Sequence, residues 1–277
     1  MKYIEVTFAL DDTGLYRDLL VDTLGNEGPY ESFVDTDDGV KAYIREAEYD
    51  PQYLAAVAQA FPLPLRYDAV PLEDRDYNAE WEQSHEAVLV QYNGGTIWVR
   101  APFHQHRTDV DYEILIEPKM SFGTAHHATT YMMLGYMAEL EMVGRRVLDM
   151  GCGTAVLAIL AKMRGAAQVE GVDVDEWAFR NACENAEANN VDIALRLGDA
   201  SSLTGQYDII AANINRNILL SDMVRYAAVL APGGALLLSG FYEADEEALV
   251  SCAHELGLTL CSKKNRDHWA ALELRKL

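Results

Sequence analysis

The stretch VLDMGCGTAVLAI, residues 147–159, sets one apolar run against a glycine turn and a second apolar run. Its periodicity reads as a strand, a turn at Gly151-Cys152-Gly153 and the start of a helix, an arrangement that aims backbone amides at a ligand. Two acids flank the turn. Asp149 sits just before Gly151, and Asp173 ends the next strand-like run, VEGVD. A carboxylate at that second place accepts hydrogen bonds from both hydroxyls of a ribose. Two nucleoside ligands then compete. A dinucleotide turn runs G-x-G-x-x-G/A, with the pyrophosphate on the helix N-terminus. Here position 156 is Val, and the third small residue, Ala155, falls one place early. Asp149 would oppose a pyrophosphate but suits an ammonium and a sulfonium, while the turn amides can still take a carboxylate. Asp173 serves either ligand. Asp149, Ala155 and the terminal hairpin described below favour S-adenosylmethionine.

Other residues point to what such a ligand would do. Asn213 follows the apolar run YDIIAA, so it emerges at the carboxyl edge of a sheet, beside the place of a transferable methyl. Its side-chain carbonyl can accept hydrogen bonds from an incoming amine and aim the lone pair. Asp199, in RLGDAS, stands where an acid reads an adenine amino group, or serves as a plain turn residue. Thr129 and Thr130 precede a helix, where a hydroxyl is as readily a cap as a ligand contact. Phe122, Gly123 and Thr124 lie in a loop expected to fold over the ligand, the flat Phe122 ring walling the transfer channel. His104, His106, His126 and His127 invite a metal. No carboxylate or cysteine spacing supports one, and methyl transfer needs none. His268 and Trp269 are expected to pack within the last hairpin.

The elements that must hold these residues fall into two designs. KYIEVTFA alternates as a strand, GLYRDLLVDTL has helical spacing, and ESFVDTDDGVKAYI reads as two strands around Asp37-Asp38-Gly39. DPQYLAAVAQAF follows as a helix capped by Asp50 with Pro51 at its first position, and LRYDAVPL as a fourth strand. This β-α-β-β-α-β order is that of a ferredoxin-like module, which carries no function by itself. A polar helix is expected over 77–86, then strands at AVLVQY, TIWVR and YEILIEP and a helix from about Ala128 to Leu140. From Arg145 strands alternate with helices. The continuous apolar runs YDIIAA and ALLLS predict a parallel sheet buried on both faces. LTLCSKKNRDHWAALEL breaks the alternation as an antiparallel hairpin turning near Asn265-Arg266-Asp267.

Composition narrows the classes further. The 277 residues suffice for two domains. No run of 18 apolar residues suggests a membrane span, and MKYIEVTFAL lacks the basic flank of a secretion signal. Cys152, Cys183, Cys252 and Cys261 form no paired motif, which points to a reducing cytoplasm. The net charge of −22 repels nucleic acid at long range and attracts basic proteins, though acidity also serves solubility.

With the glycine turn, two further stretches carry a resemblance. PKMSFGTAHHATT (118–130) is similar to the loop P-G-x-A-F-G-T-G-x-H-x-T-T, and ANINRNILL (212–220) to an A-N-I-x-x-x-x-L segment after a fourth strand. On these the chain resembles the class I, seven-stranded methyltransferases and, more narrowly, the PrmA family, which methylates the eleventh protein of the large ribosomal subunit. The likeness covers nearly the whole chain. It implies an α/β fold: a ferredoxin-like α+β recognition domain at 1–75, a connecting segment at 76–110, and a Rossmann-like catalytic domain at 111–277. It implies S-adenosylmethionine contacts at Thr130, Gly151, Asp173 and Asn213, beside Asp149, Gly153 and Asp199 from the residue reading. Asn213, Phe122 and Thr124 are expected on the transfer side. The implied acceptors are lysine ε-amines, and an α-amine, of a basic ribosomal protein, without direct nucleic-acid or membrane binding. Asn213 is not followed by the Pro-Pro-aromatic turn that grips planar amides and base amines. Ala125, Ala128 and Ala155 depart from the family pattern, and Ala125 and Ala155 stiffen their turns. Three alternatives stay open at this stage: the same fold acting on RNA or another protein, an NAD-linked oxidoreductase, and a non-catalytic binding module.

Overall fold

A computed structural model of the chain describes residues 3–10, 15–26, 28–30, 32–36, 38–71, 86–117 and 123–277. It forms two compact units, Met1–Ser84 and His85–Leu277. The helix expected over 77–86 lies, but for Glu86, outside the described residues.

The first unit runs β1 (Tyr3–Ala9), α1 (Leu15–Asn26), β2 (Ser32–Thr36), β3 (Gly39–Arg45), α2 (Pro51–Ala60) and β4 (Arg66–Pro71). Its sheet has the order β2-β3-β1-β4 with every neighbouring pair antiparallel, the split-βαβ order of a ferredoxin-like module. Alternation does the work in β1: Ile4, Val6 and Phe8 point into a core closed by Leu20 and Leu24 of α1 and Leu54 of α2. Helix α2 starts as the sequence predicts. Pro51 opens it, and the Asp50 carboxylate accepts from Gln52 N at 2.8 Å.

The second unit opens with β5 (Val88–Tyr92), β6 (Gly95–Arg100) and β7 (Tyr112–Leu115), a small sheet in that order. Val90, Ile97, Val99 and Ile114 enter one core with Met133 and Met137 of α3 (Ala128–Glu139). Residues 85–110 therefore stand with the second unit, whereas the sequence reading placed 76–110 as a connector. The alternating pattern identifies these strands but does not say which core receives them.

The main sheet contains β8 (Arg146–Met150), β9 (Gln168–Asp173), β10 (Ala194–Leu197), β11 (Tyr207–Asn213), β12 (Leu230–Tyr242), β13 (Leu258–Arg266) and β14 (Trp269–Lys276). Its order is β10-β9-β8-β11-β12-β14-β13, parallel except that β14 is antiparallel to both neighbours. Between the strands run α4 (Val156–Met163), α5 (Glu176–Ala188), α6 (Arg216–Val229) and α7 (Glu246–Glu255). The unbroken apolar runs follow from burial on both faces. In β12, Ala235 and Leu237 face the α3–α4 core, and Leu236 and Leu238 face Leu219 and Met223 of α6. Helix α6 begins at Arg216 because Asn215 caps it by accepting from Asn217 N at 2.8 Å. The hairpin turns at Asp267-His268, one step beyond the expected place, with both residues at positive φ (51° and 65°). Among the described residues no helix is long and apolar enough to cross a membrane.

Candidate active site

Three strand ends build the site. After β8 the chain turns at Gly151 (φ 67°) and Gly153 (φ 54°), and Gly151 N and Cys152 N both donate to Val172 O near the end of β9, at 2.8 and 3.1 Å. A Cβ at Gly151 would lie 2.2 Å from Ile214 Cγ2 just past β11, so glycine is required there by dihedral and by space. Ala155 closes the turn in the left-handed region (φ 62°) with its methyl fully buried, and offers α4 no side-chain cap.

The two acids around the turn have different places. Asp173 ends β9, and its carboxylate is pinned by two amides, Gly153 N at 2.9 Å and Asp175 N at 3.0 Å. That fixes the carboxylate while leaving lone pairs for a ligand. Asp149 lies beneath the turn, 1% exposed, and accepts from Ala158 N of α4 at 3.1 Å, supplying the helix N-terminus with the acceptor that Ala155 lacks. Burial pushes its carboxyl up from 3.8 to about 8; the Ala158 amide opposes the rise and neighbouring Asp173 adds to it.

A cavity of about 520 Å³ opens along the carboxyl edge of the sheet. Gly151, Gly153, Asp173, Asp199 and Asn213 all line it, so five residues from four separate stretches of sequence converge. Four carboxylates face it, Asp173, Asp175, Asp199 and Asp222, and no lysine or arginine does among the described residues. Ser201 holds Asp199 through its hydroxyl (2.5 Å) and amide (2.9 Å), which lowers the carboxyl's pKa. Asn213 ends β11. Its Nδ2 donates to Thr130 Oγ1 at 3.3 Å, and its buried Oδ1 has no partner among the described residues.

Three other expected residues sit elsewhere. Thr130, 1% exposed in the first turn of α3, meets Asn213 from behind and does not line the cavity. Thr124 pairs with His126, Oγ1 to Nδ1 3.0 Å, facing a separate small recess with Glu86 and Arg100. Phe122 lies outside the described residues. The histidines have local duties: His127 caps α3 and lies 2.8 Å from the Thr129 hydroxyl, and His126 Nε2 donates to Glu86 O at 2.7 Å. Among the described residues no three metal-ligating side chains converge.

The structure puts at the cavity a residue that the sequence reading assigned to packing within the last hairpin. Trp269 lines the opening, edge-on to His127 (4.6 Å) and stacked on Tyr242 (4.2 Å). Its signal was topological: an antiparallel strand among parallel ones starts where the others end, so the first residue of β14 belongs to the carboxyl edge. Trp177, 74% exposed, lines the other side.

This site fits S-adenosylmethionine. A cavity with four acids and no cation accommodates a sulfonium and an ammonium and is hostile to a pyrophosphate. Gly151 and Gly153 bring backbone to the cavity wall, and the buried Asn213 Oδ1 has no partner among the described residues, as a group kept for a ligand would. The sheet order, the glycine turn and the carboxylate ending β9 define a class I methyltransferase. Within that class the chain belongs to the ribosomal protein L11 methyltransferase (PrmA) family, whose model matches residues 15–277. It is 43% identical to the ribosomal protein L11 methyltransferase of Bacteroides fragilis over 280 residues, 99% of each chain. A relative of the same name from Bacteroides thetaiotaomicron is 44% identical over 99% of each chain. The solved structure of a ribosomal protein L11 methylase from Lactobacillus delbrueckii subsp. bulgaricus superposes with a TM-score of 0.62. At 24% identity, covering 68% of this chain and 98% of that one, it shows the shared fold. S-adenosylmethionine is the cofactor, and the chain is a methyltransferase rather than an NAD-linked oxidoreductase.

Proposed function

We propose that the chain methylates lysine ε-amines, and an α-amine, of ribosomal protein L11. The observation that carries this reading is the unpartnered Asn213 Oδ1 at the end of β11, beside an acid-lined cavity. Thr130 holds the amide nitrogen, which leaves the carbonyl to accept from an incoming amine. The cofactor supplies a sulfonium-bound methyl, so the amine nitrogen needs in-line approach and the loss of a proton to water, with no strong base. Asp173 takes the ribose hydroxyls, Asp199 the adenine amino group, and the Gly151–Gly153 turn the methionine end. Asp149 acts from below, holding the turn against α4. Phe122 keeps the acceptor-side role that the sequence suggests, whereas Thr124, held by His126, stands outside the cavity.

Acidity supports a basic partner. Residues 1–84 carry 19 acidic and 6 basic side chains, a balance that speeds encounter with a basic protein and discourages nucleic acid. In this reading the first unit grips the substrate, and the reaction belongs to the cytoplasm, where ribosomal proteins are made. Incubation with labelled S-adenosylmethionine and ribosomal proteins tests it: label is expected on L11 lysines and on its terminal amine. Label confined to RNA or to small molecules would reject the reading.

A further inference from the structure

Asp199 meets the cavity from a short turn, and the side chains that hold the far end of that turn lie outside the cavity. Gly198 N donates to Asp173 O at 2.8 Å, which ties the start of the turn to the end of β9. The Ser202 hydroxyl donates to Asp199 O at 2.6 Å, and the Ser202 amide donates to the same oxygen at 3.1 Å. These bonds close a single 3-10 turn at Ala200–Ser202.

Arg196 of β10 grips the residue that closes the turn. Its Nη1 donates to Ser202 O at 3.2 Å and to Ser202 Oγ at 3.1 Å, while its Nε donates to the Glu170 carboxylate of β9. The other Glu170 oxygen accepts from the hydroxyl of Tyr207, a buried residue at the start of β11. Side chains from three strands of the main sheet therefore lead to one turn. From α6, Arg225 Nη2 adds a bond to Ser201 O at 3.1 Å. A planar guanidinium suits the task at Arg196, because its rigid fork holds two acceptors in different directions at once; a lysine ammonium on a flexible stem does not.

We propose that Arg196 is a positioning residue for the adenine end of the cofactor. It does not line the cavity and touches no ligand there. It acts through Ser202, which fixes the backbone of Asp199, while Ser201 fixes the Asp199 carboxylate. Asp199 is thereby set in place before the cofactor arrives, so binding does not have to order the turn. This rests on the reading that Asp199 takes the adenine amino group. The consequence is specific: Arg196 sets the part of the affinity that depends on that amino group and leaves the rest.

The test is calorimetry on the full chain with two ligands, S-adenosylhomocysteine and its analogue with hydrogen in place of the adenine amino group. The unaltered chain should prefer the first by about tenfold, the worth of one hydrogen bond to a charged acceptor. Asp199→Ala should erase that preference. Arg196→Met keeps the length of the side chain and removes the fork, and Ser202→Ala removes the hydroxyl that joins Arg196 to Asp199 O. Each should cut the preference to under about threefold, with the analogue's own affinity within about threefold of its value in the unaltered chain. General damage to the cavity would weaken both ligands alike and leave the preference intact. The double variant should lose little more than the worse single one, because both cut one path. A preference that survives Arg196→Met but not Asp199→Ala, or fully additive effects, would overturn the inference and leave the adenine reading standing. If Arg196→Met fails to fold, Ser202→Ala decides alone. An unaltered chain without the preference, or a preference that survives Asp199→Ala, would overturn the adenine reading and this inference with it.

Discussion

On the β8–β9 side of the crevice the polar groups are held by main-chain amides, whereas on the β11 side they are held by other side chains. Asp173 receives Gly153 N and Asp175 N, and the turn itself hangs on Val172 O. Asn213 instead meets the Thr130 hydroxyl, and His127 the Thr129 hydroxyl. Amides fixed by a strand and a turn cost little to keep in place, so the first side is built to bind. A side chain aimed by another side chain leaves the chemistry adjustable, so the second side is built to orient. The comparison predicts that damage to the first side appears in affinity and damage to the second in rate.

The largest expected effect tests the binding side. Asp173→Ala should weaken S-adenosylhomocysteine at least a hundredfold in calorimetry, since it removes a charge-assisted contact to the ribose and leaves Gly153 N unpaired. Affinity within a few-fold of the unaltered chain would remove Asp173 from the binding side.

A smaller effect concerns Asp149. Its folded carboxyl stands near 8, above the 3.8 of an exposed one, so the folded chain keeps a proton that the unfolded chain releases. The stability this gives is full below about pH 3.8 and is lost as pH rises through about 8. Asp149→Asn keeps an acceptor for Ala158 N and has no proton to lose. Melting temperatures between pH 5 and 9 should therefore fall less steeply for the variant. Parallel curves would show that this carboxyl does not titrate between the two states.

The smallest effect is expected at Ala155. Ala155→Gly relieves a left-handed alanine but loses a buried methyl and loosens the unfolded chain, for a net loss of under about 1 kcal/mol in chemical denaturation. A gain of stability would mean that the alanine is plain strain.

The same division explains what was legible in the sequence. Gly151, Gly153 and Asp173 could be placed because a strand, a turn and the next strand fix them by local geometry. Helix α2 was readable for the same reason, through Asp50 and Pro51. Asp149 was recognised as important but expected to face the ligand; the pleat of β8 turns it under the turn instead, toward α4. Thr130 and Thr124 do not line the cavity, because Thr130 meets Asn213 from within α3 and Thr124 pairs with His126, and neither contact is visible in local spacing. Trp269, read from the sequence as hairpin packing, reaches the cavity through a strand reversal at the far end of the chain.

The most direct measurement is Asn213→Ala followed in two ways on one preparation, by S-adenosylhomocysteine calorimetry and by single-turnover transfer to ribosomal protein L11. The account predicts a dissociation constant within about threefold of the unaltered chain and a transfer rate lower by roughly a hundredfold, the signature of lost alignment. Affinity falling as far as the rate would contradict it, for Asn213 would then belong to the binding side and the division of the crevice would fail.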